Sequence, residues 1–214
     1  MRSPPLQRRF SLVGTVFLWL YWPSFVGGDL DPGTDEQSRA LLNTVVALLG
    51  STVITFAIST FLGDRVNPVH IQNSTLAGGV AIGATANMTL QPAGALLVGV
   101  IAGVVSTLGY GILLEKLVHF GVHDTCGVHN LHGMPSLVGG IASVIVAAIY
   151  SNPDIYAWDQ DVQWIKQLAG VVCTLGVAIG TGLLTGMLIR PKETKLTFND
   201  KLDWEVAEDY GHTS

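Results

Sequence analysis

HDTCGVHNLHGMPSLVGG, residues 123–140, places three histidines and an aspartate at the head of an apolar run that continues as IASVIVAAI to Ile149. Ionisable side chains inside a membrane span are expensive. Those that persist face a bundle interior or a cavity, so each counts as a functional candidate. Asp124 and His132 stand eight residues apart. On a helix that spacing is roughly 12 Å along the axis, on about the same side. The stretch therefore predicts a span with Asp124 near one membrane face and His132 deeper inside.

The rest of the chain shares this apolar character. Its mean hydropathy is +0.45 and only 13% of its 214 residues are charged, against about 25% in a soluble domain. That composition describes a membrane protein. The net charge of −5 sits in loops and tail, and no basic patch suited to nucleic acid stands out. Cys126 and Cys173 make neither a disulfide framework nor a Cys-x-x-Cys metal pattern, and read as small buried residues.

Six apolar segments approach the roughly 20 residues that a bilayer requires. They cover about 10–27, 39–63, 71–90, 93–118, 124–149 and 163–189. All are rich in Gly, Ala, Ser and Thr, which let helices approach closely where lipid gives no hydrophobic drive to associate. The predicted fold is all-α: a polytopic membrane helical bundle of six transmembrane helices in residues 1–190, followed by a polar cytoplasmic tail, 191–214. Within the tail, FNDKLDWE (198–205) suits a short amphipathic turn docked on the cytoplasmic face.

Arg8-Arg9 before FSLVGTVFLWLYW has the outline of a signal peptide. Trp19, Tyr21, Trp22 and Pro23 crowd its far end, no A-x-A-like cleavage site follows, and five more apolar segments do. An interfacial aromatic belt describes it better. With both termini inside, Arg2, Arg8, Arg9, Arg65, Lys116, Arg190, Lys192, Lys195 and Lys201 are cytoplasmic, and only Arg39 and Lys166 are outside. This positive-inside bias predicts that orientation. The sequons Asn73-Ser-Thr and Asn87-Met-Thr fall in or beside a span, where glycosylation does not reach.

Three readings compete for the histidine cluster. His129 and His132 at i, i+3, with His123 and Asp124 nearby, have some of the look of metal ligands, but no third ligand stands at a conventional offset. A core histidine satisfied by hydrogen bonds is the second reading, and it suits His123 and His129 near the mouth. The third puts His132 on a narrow passage, neutral and able to accept or donate a hydrogen bond. No nucleophile–base pair or cofactor motif appears, so neither an enzyme nor a cofactor is expected.

At these residues the chain resembles the ammonium transporter/Rh glycoprotein superfamily, on the Rh side. The likeness is carried by DTCGVHNLHGMP (124–135), VHIQNSTLAGGVAIG (69–83), FLWLYWPSF (17–25), STLGY (106–110) and DWEV (203–206). It implies a trimer of helical bundles. Each subunit would hold its own pore, passing ammonia derived from ammonium, with CO2 as a further candidate. By motif position His132 resembles the second of two pore histidines and Asp124 the acidic residue ahead of it. Phe25 resembles one of two stacked phenylalanines that close the outer vestibule. His132, Asp124 and Phe25 are thus the expected substrate-contacting residues.

The resemblance also implies a departure. The six segments correspond to the second inverted repeat plus the final peripheral helix, and pores in such folds form between repeats. The chain is therefore expected to hold half a pore and to be a partial record, a splice form or a truncated gene model. Ser136 stands where the family usually has glycine, a small change that should pack. Expected partners are ammonium or ammonia, lipid, and either further copies in a homotrimer or full-length Rh-type subunits, in the plasma membrane. The alternative function is a non-conducting structural subunit of Rh-type oligomers.

Overall fold

The computed structural model describes residues 5–63, 65–150 and 160–189. They form helices α1 (Pro5–Gly27), α2 (Asp35–Leu62), α3 (Pro68–Asn73), α4 (Ala77–Ile82), α5 (Pro92–Leu108), α6 (Leu114–His119), α7 (Met134–Ile149) and α8 (Gln163–Leu188). A 3-10 turn, Ser74–Leu76, joins α3 to α4, and a π-turn, Gly109–Leu113, joins α5 to α6. A second π-turn, His129–Gly133, runs into α7. The tail 191–214 and most of the acidic loop near 151–161 lie outside the described residues.

Five of these helical stretches are long and apolar enough to cross a membrane: Phe10–Gly27, Asp35–Leu62, Pro92–His119, His129–Ile149 and Gln163–Leu188. The third predicted span, 71–90, expected as a continuous helix, is replaced by a broken run. α3, the 3-10 turn and α4 together end at Ile82, and turns follow. Hydrogen bonds show where that run goes. Near its start, His70 Nδ1 lies 3.0 Å from Ser59 Oγ at the far end of α2. Midway, the Ser51 hydroxyl donates to the Thr75 carbonyl at 2.6 Å. Beyond α4, Asn43 donates to the Ala86 carbonyl and Arg39 to the Asn87 carbonyl, both at 2.9 Å. The broken run thus lies antiparallel to α2 from Ser59 to Arg39. That length of helix is about 30 Å, the thickness of a bilayer's apolar core. Irregular backbone at that depth is tolerated where protein buries it or where it lines a cavity.

Two other registers fix the neighbours. α1 runs parallel to the broken segment, with Thr15 bonded to the Gln72 carbonyl at 3.1 Å and Trp19 Nε1 to Thr75 Oγ1 at 3.4 Å. α5 runs parallel to α2, with Thr107 Oγ1 3.3 Å from Thr55 Oγ1. The packing follows from small residues. The core is dominated by Ala40, Ala47, Ala77, Ala81, Ala95 and Ala102. Gly99 lies so close to the Ala47 carbonyl that no side chain fits there. Small residues and side-chain hydrogen bonds hold helices together where lipid competes equally for apolar surface.

Helix ends differ from the sequence expectation for local reasons. α2 begins at Asp35 rather than near 39 because Thr34 caps it, accepting the Gln37 N–H at 3.2 Å. Asp35 and Glu36 in its first turn suit the positive end of the helix dipole. The acidic stretch there is therefore helix start as well as loop. The fifth predicted segment begins near 129 rather than 124 because a turn precedes it. Both cysteines, expected to be buried, are exposed. Cys126 is in that turn, and Cys173 is on α8, no residue of which is buried.

Candidate functional site

A groove of about 720 Å³ runs between the second half of α1, the broken segment and the second π-turn. Phe25, Trp22 and Leu18 line it from α1, Gly79 and Val80 from α4, and Leu131 and His132 from the π-turn. The structure thus brings two of the predicted residues, Phe25 and His132, to one surface from distant parts of the chain.

Each wall has a local cause. α1 carries Pro23 in its interior and continues to Gly27. Trp22 and Phe25 meet edge to face, with ring centroids 6.4 Å apart and planes at 69°. Trp22 lies directly against Gly79, where a Cβ would come within 2.6 Å of its indole nitrogen. Gly79 is therefore what lets the indole come this close to the broken helix. The Phe25 ring is 76% exposed, so nothing in the described residues closes over it.

His132 belongs to the wide π-turn His129–Gly133, closed by the Met134 N–H donating to the His129 carbonyl. A π-turn adds a residue to one turn of helix and changes which side chain faces a given direction. His132 faces the groove, and its ring is exposed along the groove's open side. His129 instead has its Nδ1 beside Gly133 of its own turn. Among the described residues, no three of His, Cys, Asp and Glu gather as a metal site.

Asp124 stands apart from the groove lining. Its carboxylate oxygens accept the backbone N–H groups of Val128 and His129, each at 2.9 Å. It therefore satisfies orphan donors at the start of the helix that carries His132, where negative charge also suits the dipole. The expected two-turn helical spacing between Asp124 and His132 is not present, because Thr125–Gly127 turn before the helix begins.

Sequence reasoning missed three residues that shape this region. Tyr110 is buried and donates its hydroxyl to the Gly127 carbonyl at 2.8 Å. His70 is buried against Ser59. Trp22, read as part of an aromatic belt, lines the groove. The signal available for Trp22 was the Ala-Gly-Gly at 77–79, which marks a place of close approach. Tyr110 and His70 meet their partners only through tertiary packing.

Comparison with known proteins agrees with this geometry. The sequence profile of the Ammonium Transporter Family matches residues 1–205. Ammonium transporter Rh type C of Rattus norvegicus is 38% identical over 224 residues, which cover 94% of this chain and 45% of that protein. Ammonium transporter Rh type B of Sus scrofa is 40% identical over 223 residues, with 94% and 48% covered. The solved structure of Nitrosomonas europaea Rh50 superposes with a TM-score of 0.80 at 32% identity, over 95% of this chain and 50% of that one. This chain spans about half the length of the curated relatives it matches. By the profile match and by these likenesses, the chain belongs to the Ammonium Transporter Family, and its relatives there are of the Rh type.

Proposed function

We propose that the groove is one wall of a passage for ammonia across the membrane, with His132 as its polar station and Phe25 at its outer end. One observation carries the reading: the histidine and the phenylalanine share a surface that is otherwise aliphatic, aromatic or glycine. Moving a bare ammonium ion into such a lining costs far more than moving neutral ammonia, so the proton stays behind, passed to bulk water at the outer mouth, and ammonia alone enters. Ammonia then passes along the wall and exchanges a hydrogen bond with the His132 ring. CO2, being apolar, is compatible with the same wall but gains nothing from His132.

In this reading both termini face the cytoplasm of a cell whose plasma membrane holds the protein, as the Lys and Arg distribution supports. The acidic loops then lie outside, where they attract ammonium. Asp124 acts by holding the start of the His132 helix in place. The wall facing His132 comes from beyond the described residues, and a homotrimer or an assembly with full-length Rh-type subunits would supply it.

The test is ammonium-driven pH change in vesicles containing the assembled protein. His132→Ala should slow the internal alkalinisation that follows an inward ammonium gradient, at unchanged protein content. Equal rates for the two proteins would remove His132 from the path. The rival reading, a non-conducting subunit, is favoured by the groove's open side and the exposed Phe25. It predicts no flux that depends on His132, whatever partner is supplied.

A further inference from the structure

The second π-turn holds a polar group that the groove does not use. Asn130 is 0% exposed, and among the described residues neither its side-chain oxygen nor its nitrogen has a hydrogen-bond partner. An amide has two donor hydrogens and an acceptor oxygen with two lone pairs. Leaving all of them unmet in a low-dielectric interior is strongly unfavourable.

The surroundings indicate what meets them. Asn130 lies against Gly109, the first residue of the other π-turn. A Cβ at Gly109 would come within 2.7 Å of the Asn130 Oδ1 and 3.0 Å of its Cγ. Two π-turns therefore face one another across the α5–α7 contact, and π-turns are frequent at functional sites. The 3-10 turn Ser74–Leu76 packs on the same π-turn. There the fully buried Ser106 hydroxyl donates to that of Ser74 at 3.1 Å. The packing around this π-turn thus includes buried hydroxyls as well as the Met134 methyl beside Gly109, and buried polar groups are where proteins keep ordered molecules.

A second polypeptide laid over the open groove does not reach a side chain with no exposed surface. The occupant must be small enough to enter packed protein, and it must both donate and accept. A cation fails on the second count. We propose that Asn130 holds one small neutral hydrogen-bonding molecule, water or ammonia, beside the contact of the two π-turns, on the protein side of the turn that presents His132. The site is separate from the groove and stands whether or not the groove conducts; only its occupation by ammonia rests on the conduction reading. By meeting the amide, the bound molecule holds the π-turn in the register that directs His132 outward.

The experiment uses the protein in the assembly it forms in membranes, with its asparagine side chains labelled with nitrogen-15. Long-lived cross-relaxation between the Asn130 amide hydrogens and a bound molecule is the expected signal, lost in Asn130→Leu. A structure that resolves ordered water should place one molecule on both amide atoms. Ammonium chloride, titrated at alkaline pH, separates the occupants: a saturable shift of the Asn130 signal identifies ammonia, and no shift identifies water. An Asn130 amide bonded only to protein groups, with no bound molecule, overturns the proposal. If Asn130→Leu does not fold, the wild-type signal and structure still decide. Failure here leaves the His132 flux result untouched, and the reverse also holds.

Discussion

The Tyr110 hydroxyl donates to the Gly127 carbonyl at 2.8 Å, and its ring occupies the space where any side chain on Gly127 would go. Gly127 has φ of 70°, the left-handed region that glycine enters without steric penalty. The same carbonyl accepts the N–H groups of Asn130 and Leu131 at 3.1 and 3.0 Å. One residue of α5's π-turn thus holds the carbonyl on which the His132 helix begins.

Tyr110→Phe keeps the ring over Gly127 and removes the donor. It should destabilise the protein by about 1 kcal/mol, a typical net hydrogen bond, read as a lower thermal midpoint in detergent. Gly127→Ala must fit a Cβ into the Tyr110 ring at a positive φ, so it should be the more damaging change. A Gly127→Ala protein as stable as wild type would show that the turn has another conformation available.

For Asp124, two substitutions separate position from charge. Asp124→Ala loses both accepted N–H bonds and should cost about 0.5–2 kcal/mol, as a lost helix cap does. Asp124→Asn keeps one acceptor oxygen and should recover most of that stability and, in the assembled protein, most of the ammonium flux. Asn as defective in flux as Ala, at recovered stability, would show that the negative charge itself acts on ammonium.

Much of this was legible in the residues. Five of the six predicted spans followed from apolar length, and attention to His132, which lines the groove, from its ionisable ring inside a span. Phe25 followed from a motif likeness. What stayed hidden has a common cause. An uninterrupted apolar run such as STLAGGVAIG does not reveal that its helix breaks, because small residues suit a close-packed helix and a broken one equally. Asp124 looked like part of a span because an acid before an apolar run fits either a pore mouth or a helix cap. The π-turns leave no mark in hydrophobic periodicity, so neither the direction of His132 nor the burial of Asn130 could be read.

Phe25 supplies the third prediction. The Trp22–Phe25 edge-to-face pair rests on Gly79, so Phe25→Ala opens the outer end of the groove while Trp22 keeps its seat. In the assembled protein the expected outcome is altered discrimination between ammonium and methylammonium, with stability close to wild type because the ring is 76% exposed. Unchanged uptake of both substrates would return Phe25 to a lipid-facing aromatic.

The last prediction concerns the open side of the groove. His132 is exposed along the groove's open side, and no residue of α8 is buried, so two surfaces are left uncovered by the described residues. A histidine ring against lipid leaves polar atoms unpaired, at about 1–3 kcal/mol each. Water entering the open groove relieves that cost but removes the dry constriction that separates ammonia from ammonium. Either way the isolated chain is expected to conduct poorly. We therefore expect liposomes holding the 214-residue chain as a monomer to alkalinise no faster than protein-free liposomes under an ammonium gradient. Co-expression with the first half of an Rh-type relative should restore flux that His132→Ala then abolishes. Rapid, His132-dependent alkalinisation by a species shown to be monomeric would falsify the need for a facing wall. A complex that forms with that first half and still passes nothing would instead establish the chain as a structural subunit.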